Sequence, residues 1–292
     1  MNTRREFIKT LSLITGGVVL APGMEAFAAK KSWFDISLAQ WSLHRTLRKG
    51  DLDNLDFPAF AKNQFDIRAV EYVNQFFKDK AKDLTYLKEL KKRAKDNGVK
   101  NVLIMVDGEG QLGDEDKARR ATAVENHYKW VDAAKYLGCH AIRVNAAGKG
   151  EAEEVKKRVV ESMVTLSDYA KKAKINVIIE NHGGMSSHGD WLADLLRQVN
   201  HKNAGSLPDF GNFYEYDRYQ GVTDLMPYAK GVSAKTHDFD ANGLEKNIDY
   251  AKMLDIVKAA GYRGYVGIEY EGKNLPEIEG IKLTKALLEK YR

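Results

Sequence analysis

Two glutamates, an aspartate and a histidine close four short apolar runs: Val177-Ile178-Ile179-Glu180, Gly205-Ser206-Leu207-Pro208-Asp209, Gly231-Val232-Ser233-Ala234-Lys235-Thr236-His237 and Tyr265-Val266-Gly267-Ile268-Glu269. Glu180, Asp209, His237 and Glu269 suit a single divalent ion of the Mn²⁺, Mg²⁺, Co²⁺ or Zn²⁺ kind, with Mn²⁺ favoured. Glu180 and Glu269 can also flank a substrate and trade a proton as base and acid. Taken singly, an acid after a strand often only caps the next helix. Four such residues over one mouth argue against that reading.

They meet over one mouth only if the runs are parallel strands of a barrel, whose C-terminal ends all open on the same face. The alternation of strand and helix can be followed eight times. Apolar runs at Ile36–Leu43, Ala69–Val73, Asn101–Val106, Ala141–Asn145, Asn176–Glu180, Ala204–Phe210, Gly231–His237 and Tyr265–Tyr270 read as strands. Between them lie helical faces, such as Val155, Val159, Met163, Leu166 and Ala170 at steps of three and four. Eight repeats in about 260 residues favour an α/β fold of the closed (β/α)8 TIM-barrel type. No Gly-x-Gly-x-x-Gly follows the first strand, which weakens a dinucleotide fold.

The first residues belong to a different kind of element. Thr3-Arg4-Arg5-Glu6-Phe7-Ile8-Lys9, the apolar stretch from Leu11 to Leu20 and Ala26-Phe27-Ala28 read as a twin-arginine export signal with its cleavage site. Gly16-Gly17 and Pro22 break the stretch, and it falls short of the ~20 apolar residues of a membrane span, so no stable membrane anchor is expected. The expectation is a precursor handled by the twin-arginine export machinery and a periplasmic protein of residues 29–292, one domain near the ~250 residues of a barrel. The signal carries Arg4, Arg5 and Lys9 against Glu6 and Glu25, so its loss takes the formal net charge from +5 to +4. Basic and acidic residues are interleaved along the helices, as in Lys88-Glu89-Leu90-Lys91-Lys92-Arg93, which reads as a solvated helix face rather than a nucleic-acid stripe, so no nucleic-acid partner is expected. Cys139 is the only cysteine, so there is no intrachain disulfide and no cysteine-rich metal knuckle.

On Ile179-Glu180-Asn181-His182, Pro208-Asp209-Phe210-Gly211-Asn212 and Gly267-Ile268-Glu269-Tyr270, the chain resembles the xylose-isomerase-like barrels. That family includes sugar-phosphate isomerases, ketose 3-epimerases and abasic-site endonucleases. The resemblance covers residues 29–292 and implies Glu180, Asp209 and Glu269 as ligands of one divalent ion. It also exposes two departures. Tyr228-Ala229-Lys230-Gly231-Val232-Ser233-Ala234-Lys235 aligns with the family's strand seven, with Ser233 in the place of the metal histidine and Lys235 at the usual lysine. His237, on the same face by strand parity, either supplies the nitrogen from farther up or hydrogen-bonds substrate. Without it, three carboxylates remain, a harder set tilting towards Mn²⁺ or Mg²⁺. The second departure is Asn212, where many relatives carry histidine; it can bond a sugar hydroxyl but cannot shuttle a proton.

What the resemblance implies is a metal-dependent isomerase or epimerase for a free sugar or keto-sugar, working by proton transfer through an enediolate. Lys235 would add positive charge near the oxyanion, or else simply pair with Asp238 or Glu269. The same chemistry would let a lyase or hydrolase expel the leaving group of a 3-keto-glycoside, and Ser233 with Asn212 leaves room for a non-catalytic sugar-binding barrel. Around the mouth, Trp41 and His44 at the end of strand one, Asn145 at the end of strand four, His182 and Asn212 are the expected sugar contacts. Asp107-Gly108-Glu109-Gly110 reads as a mobile polar loop.

Overall fold

The computed structural model describes residues 32–292; the export signal expected over residues 1–28 lies outside them. The described residues carry eight parallel strands: β1 (Asp35–Ala39), β2 (Ala69–Val73), β3 (Lys100–Met105), β4 (Ala141–Val144), β5 (Asn176–Glu180), β6 (Ala204–Leu207), β7 (Val232–Thr236) and β8 (Tyr265–Tyr270). They run in the order β6-β5-β4-β3-β2-β1-β8-β7. The seam between β6 and β7 is bridged at Ser206–Ala229 and Asp209–Ser233, through Lys230 N–H to the Ser206 carbonyl (3.0 Å) and Ser233 N–H to the Pro208 carbonyl (2.9 Å). The fold is the TIM barrel expected from the eightfold alternation. Among the described residues no helix is long and apolar enough to cross a membrane.

Strand alternation sorts the side chains into two compartments. Ile36, Leu38, Val70, Tyr72, Ile142, Val144, Val177, Ile179, Val232, Ala234, Val266 and Ile268 point outward into the layer between sheet and helices. Ala39, Ala69, Val73, Leu103, Met105, Ala141, Ile178 and Leu207 fill a smaller apolar cluster inside the barrel. Towards the C-terminal end the inward positions include the polar residues Arg143, Glu180, Ser233, Lys235 and Glu269, with Glu71 deeper, between Ala69 and Val73, all buried. The barrel is therefore largely apolar at its base and charged at its mouth. Cys139 is buried, and burial pushes its thiol up, consistent with a small core residue.

Capping by aspartates does occur, at the helices Leu84–Asp96, Lys117–Leu137, Arg218–Leu225 and Tyr250–Ala259. Asp83, Asp116, Asp217 and Asp249 accept an N–H of the first turn, each contact contributing about 1 kcal/mol. Neither Glu180 nor Glu269 serves in that way; Glu180 ends β5, and Glu269 is the last residue but one of β8.

Five strands stop earlier than the apolar runs suggest, β3 at Met105 and β4 at Val144 by a single residue. β1 ends at Ala39, and Gln40–Leu43 form a 3-10 turn. There, side chains replace the ladder: Gln40 Oε1 accepts the Val73 N–H (2.9 Å), while the Ser42 hydroxyl donates to the Ile268 carbonyl and accepts the Tyr270 N–H, both at 3.0 Å. β6 ends before Pro208, which has no N–H to give. β7 ends at Thr236, so strand parity no longer governs His237.

Candidate metal centre and sugar site

Each mouth carboxylate is set by a different device. Glu180 is the last residue of β5. The next residue, Asn181, fastens the neighbouring strand end: its side chain donates to the Asp209 carbonyl (3.0 Å) and accepts the Asp209 N–H (2.8 Å). The Asp209 side chain then turns the chain on itself, Oδ1 accepting the N–H groups of Gly211 (2.8 Å) and Asn212 (2.9 Å). Glu269 is held from β7, its Oε1 taking the Lys235 ammonium at 2.6 Å and its Oε2 lying 3.4 Å from the Ser233 hydroxyl. Gly211 has no side chain because Lys235 passes there; a Cβ would stand 2.6 Å from Lys235 Cγ.

Glu180, Asp209 and Glu269 are buried, and each offers an oxygen within 4.8 Å of the other two. His237 is not part of this group. Its N–H instead points to Glu245 Oε1 at 3.4 Å, in a loop where Glu245 also gathers the N–H groups of Asn247 and Ile248. The strand ends one residue before His237, which bears on Glu271, the partner of Lys235, rather than joining the three carboxylates. Ser233 occupies the space between the carboxylates and donates to Asp209 Oδ2 at 2.6 Å.

The electrostatics are lopsided. Six carboxyl groups, Glu71, Asp107, Glu180, Asp209, Glu269 and Glu271, surround two cations, Arg143 and Lys235. Lys235 lies 2.6 Å from Glu269, 3.3 Å from Glu271 and 3.8 Å from Asp209, which hold it charged despite burial. Arg143 Nε stands 2.8 Å from Glu180 Oε2 without a hydrogen-bond geometry, and both atoms are buried with no hydrogen-bond partner. Burial pushes Glu180 and Asp209 up to about 7, helped by the negative charges around them and opposed by Arg143 for Glu180 and Lys235 for Asp209. Glu71, deeper in the barrel, is pushed up to about 8 by burial, against the 2.5 Å hydrogen bond from Ser37. Surplus negative charge, three converging oxygens and an orphaned Glu180 Oε2 fit a divalent cation.

Around this centre, Asn212 Nδ2 donates to Glu180 Oε1 at 3.2 Å. Asn145 Nδ2 donates to Asp107 Oδ1 (2.8 Å), which also takes Arg143 at 2.6 Å. His182 is exposed on the rim, its N–H anchored to Ser186 Oγ. Trp41 is half-buried and stacks on His44 with centroids 4.9 Å apart, its indole N–H bonded to Glu271. His44 Nδ1 lies 2.8 Å from the Trp41 carbonyl and 3.6 Å from Glu277. The loop after β3 is fastened on both acids, since Glu109 takes Trp130 Nε1 (2.7 Å) and Lys129. Glu271 went unread in the sequence; it lies one residue past the end of β8, and its reach to Lys235 is a tertiary contact.

An eight-stranded parallel barrel with a buried acidic mouth defines a class of α/β barrel. Residues 59–291 match the xylose isomerase-like TIM barrel family, and the chain belongs to it. Solved structures of the same fold include 3-keto-D-glucoside 4-epimerase from E. coli, with a TM-score of 0.68 and 16% identity over 82% of this chain and 94% of that one. Another is the IOLI protein with a zinc atom bound, at a TM-score of 0.71 and 16% identity over 88% and 97%. L-ribulose 3-epimerase follows at 0.69 and 16% over 88% and 94%. Among curated sequences, the C-glycoside deglycosidase alpha subunit of Arthrobacter globiformis is 38% identical over 65 residues, which is 21% of this chain and 18% of that one.

Proposed function

We propose that the protein is a divalent-metal-dependent enzyme that isomerises or epimerises a keto-sugar by moving a proton at the carbon beside its carbonyl. The observation that carries this reading is the convergence of three buried carboxylates at the strand ends, two of them pushed up to about 7. Structures of the same fold whose names denote sugar epimerases support it. Glu180, Asp209 and Glu269 would hold the ion, and an all-oxygen set favours Mn²⁺ or Mg²⁺. The ion would withdraw charge from the substrate oxygens and so favour enediolate formation.

The chain's own groups do the rest. Glu180 and Glu269, on β5 and β8, face each other across the mouth as proton acceptor and donor. Asn212 holds the Glu180 carboxylate by a hydrogen bond, and Arg143 faces it as a fixed charge. Lys235 supplies a fixed positive charge where the enediolate oxygen develops. Trp41, His44, Asn145 and His182 form the rim against which sugar hydroxyls would settle. A second reading, a lyase or hydrolase of a 3-keto-glycoside, is favoured by the local match to a C-glycoside deglycosidase; proton removal beside the carbonyl is common to both.

The test is turnover of a keto-sugar panel in D₂O, read by NMR. Deuterium beside the product carbonyl is expected, and Glu180→Gln should cost ~10²–10⁴-fold in rate. Full activity in Glu180→Gln, with its fold intact by circular dichroism, would defeat the assignment. Periplasmic residence through the twin-arginine route is part of the same proposal. Arg4→Lys together with Arg5→Lys should strand the precursor in the cytoplasm, and normal delivery in a fractionation assay would exclude that route.

A further inference from the structure

Beside the carboxylates, and sharing none of them, lies an open cavity of about 670 Å³. Its walls include Met185, His188, Asp190 and Trp191 from the segment after β5, and Tyr214 and Glu215 from the segment after β6. Its volume falls within the ~300–1,000 Å³ of small-molecule sites. Two features separate it from an idle surface dent.

The first is its wall. Tyr214 is 73% exposed, the most exposed large apolar side chain among the described residues. Its ring is available at the cavity edge, where Met185 and Trp191 add apolar surface. The segment behind them is held in shape, with Ser186 Oγ accepting the His182 N–H and Ser187 Oγ the Gly183 N–H, both at 3.0 Å. The second is its continuity with the acidic centre. The Tyr214 hydroxyl lies 3.5 Å from Asn212 Oδ1, and Asn212 Nδ2 donates to Glu180 Oε1 at 3.2 Å. The Asn212 side chain thus touches both Tyr214 at the cavity edge and Glu180 at the acidic centre.

From this we propose that the cavity seats a second, uncharged ring of the substrate, joined through a glycosidic oxygen to the keto-sugar ring at the carboxylates. The substrate class is then a glycoside rather than a free monosaccharide; this deepens the sugar reading above and rests on it. An exposed tyrosine beside a methionine and a tryptophan suits the flat face of a ring. The carboxylates of Asp190 and Glu215 disfavour an anionic ring by like-charge repulsion. The second ring is an aryl aglycone or another sugar, two sources of one shape that the experiment separates.

The test measures binding without turnover, on the metal-loaded protein, with glycosides that carry no carbonyl for the proton step. Methyl, phenyl and glucosyl β-glucosides and phenyl β-glucuronide are compared by calorimetry and saturation-transfer NMR. At least one of the two neutral two-ring ligands should bind about tenfold tighter than the methyl glycoside, a difference of ~1.4 kcal/mol. Its second ring should receive the strongest saturation; the tighter of the pair identifies aryl or sugar. The glucuronide should bind more weakly than the phenyl glucoside. Tyr214→Ala should reduce the two-ring advantage severalfold, with Tyr214→Phe retaining most of it. Equal affinity for one-ring and two-ring ligands, absence of binding by any of them, or Tyr214→Ala weakening all equally would overturn the proposal. A protein that keeps the two-ring preference but is inert in D₂O would sink the proton-transfer reading and spare this one.

Discussion

Asp107 and Asp209 stand in comparable places, two residues past β3 and β6, yet they carry opposite electrostatics. Asp107 is held down at about 2: burial opposes its charge, but Arg143 and Asn145 outweigh it, with direct contacts at 2.6 and 2.8 Å. Asp209 is fully buried and pushed up to about 7, because Lys235 is shared with Glu269 and Glu271 while Glu180 and Glu269 press on it. The first aspartate has a cation close at hand and is an internally balanced strut. The second belongs to a group with more negative than positive charge, a condition that a bound cation relieves. The difference separates the half of the mouth that frames the site from the half that binds.

The largest break in this comparison comes from removing the shared cation. Lys235→Met should lower kcat by at least ~10²-fold while raising affinity for Mn²⁺, since the lysine competes for the same carboxylates. Calorimetric titration with the metal and steady-state kinetics read the two signs separately. Weaker metal binding in this variant would mean that Lys235 organises the carboxylates rather than competing for them. Its loss also leaves buried carboxylates uncompensated, at a cost of ~3–5 kcal/mol in metal-free protein that added metal should recover.

A smaller effect is expected on the balanced side. Asp107→Asn leaves Arg143 facing Glu180 alone and should cost about 2 kcal/mol of stability at neutral pH. The folded-state value, about 2, lies below the unfolded ~3.9, so the contribution is present above about pH 4 and is lost as pH falls through about 2. Urea titrations at several pH values should show the wild-type advantage shrinking in acid. An advantage that grows in acid would show that Asp107 is not the ionised partner of Arg143.

These two sides differ in how far the sequence reveals them. Glu180 and Glu269 can be read because apolar strands ending in an acid are unusual, and parity places Ser233 and Lys235 inside. The Asp107–Arg143 pair cannot, because the partners are 36 residues apart and the glycines beside Asp107 suggest mobility. Strand one looked longer than it is because Gln40 and Ser42 bond strand backbones with their side chains, a role no apolar pattern records. His237 was drawn towards the metal by a parity that stops at Thr236. Asn181, which fixes Asp209, was visible only as part of a motif; its clamp on the next strand end is a tertiary fact.

The finest contrast is between the neutral donors, Asn145 on Asp107 and Ser233 on Asp209. Ser233→Ala removes a 2.6 Å bond to Asp209 Oδ2 and the longer approach to Glu269, and leaves a space of only one hydroxyl. The expected loss is about 1 kcal/mol when Asp209 is ionised. The bond favours the charged carboxylate, so without it the proton on Asp209 is held more tightly. The wild-type advantage should therefore be smallest well below the value of about 7, grow as pH rises through it and level off above. For the same reason Mn²⁺ affinity in Ser233→Ala should fall a fewfold near pH 6 and approach wild type at pH 9, about the size of one hydrogen bond. An affinity lowered equally at both pH values would mean that Ser233 touches the ion directly, and the serine would then fill the histidine's role as a ligand instead of tuning one.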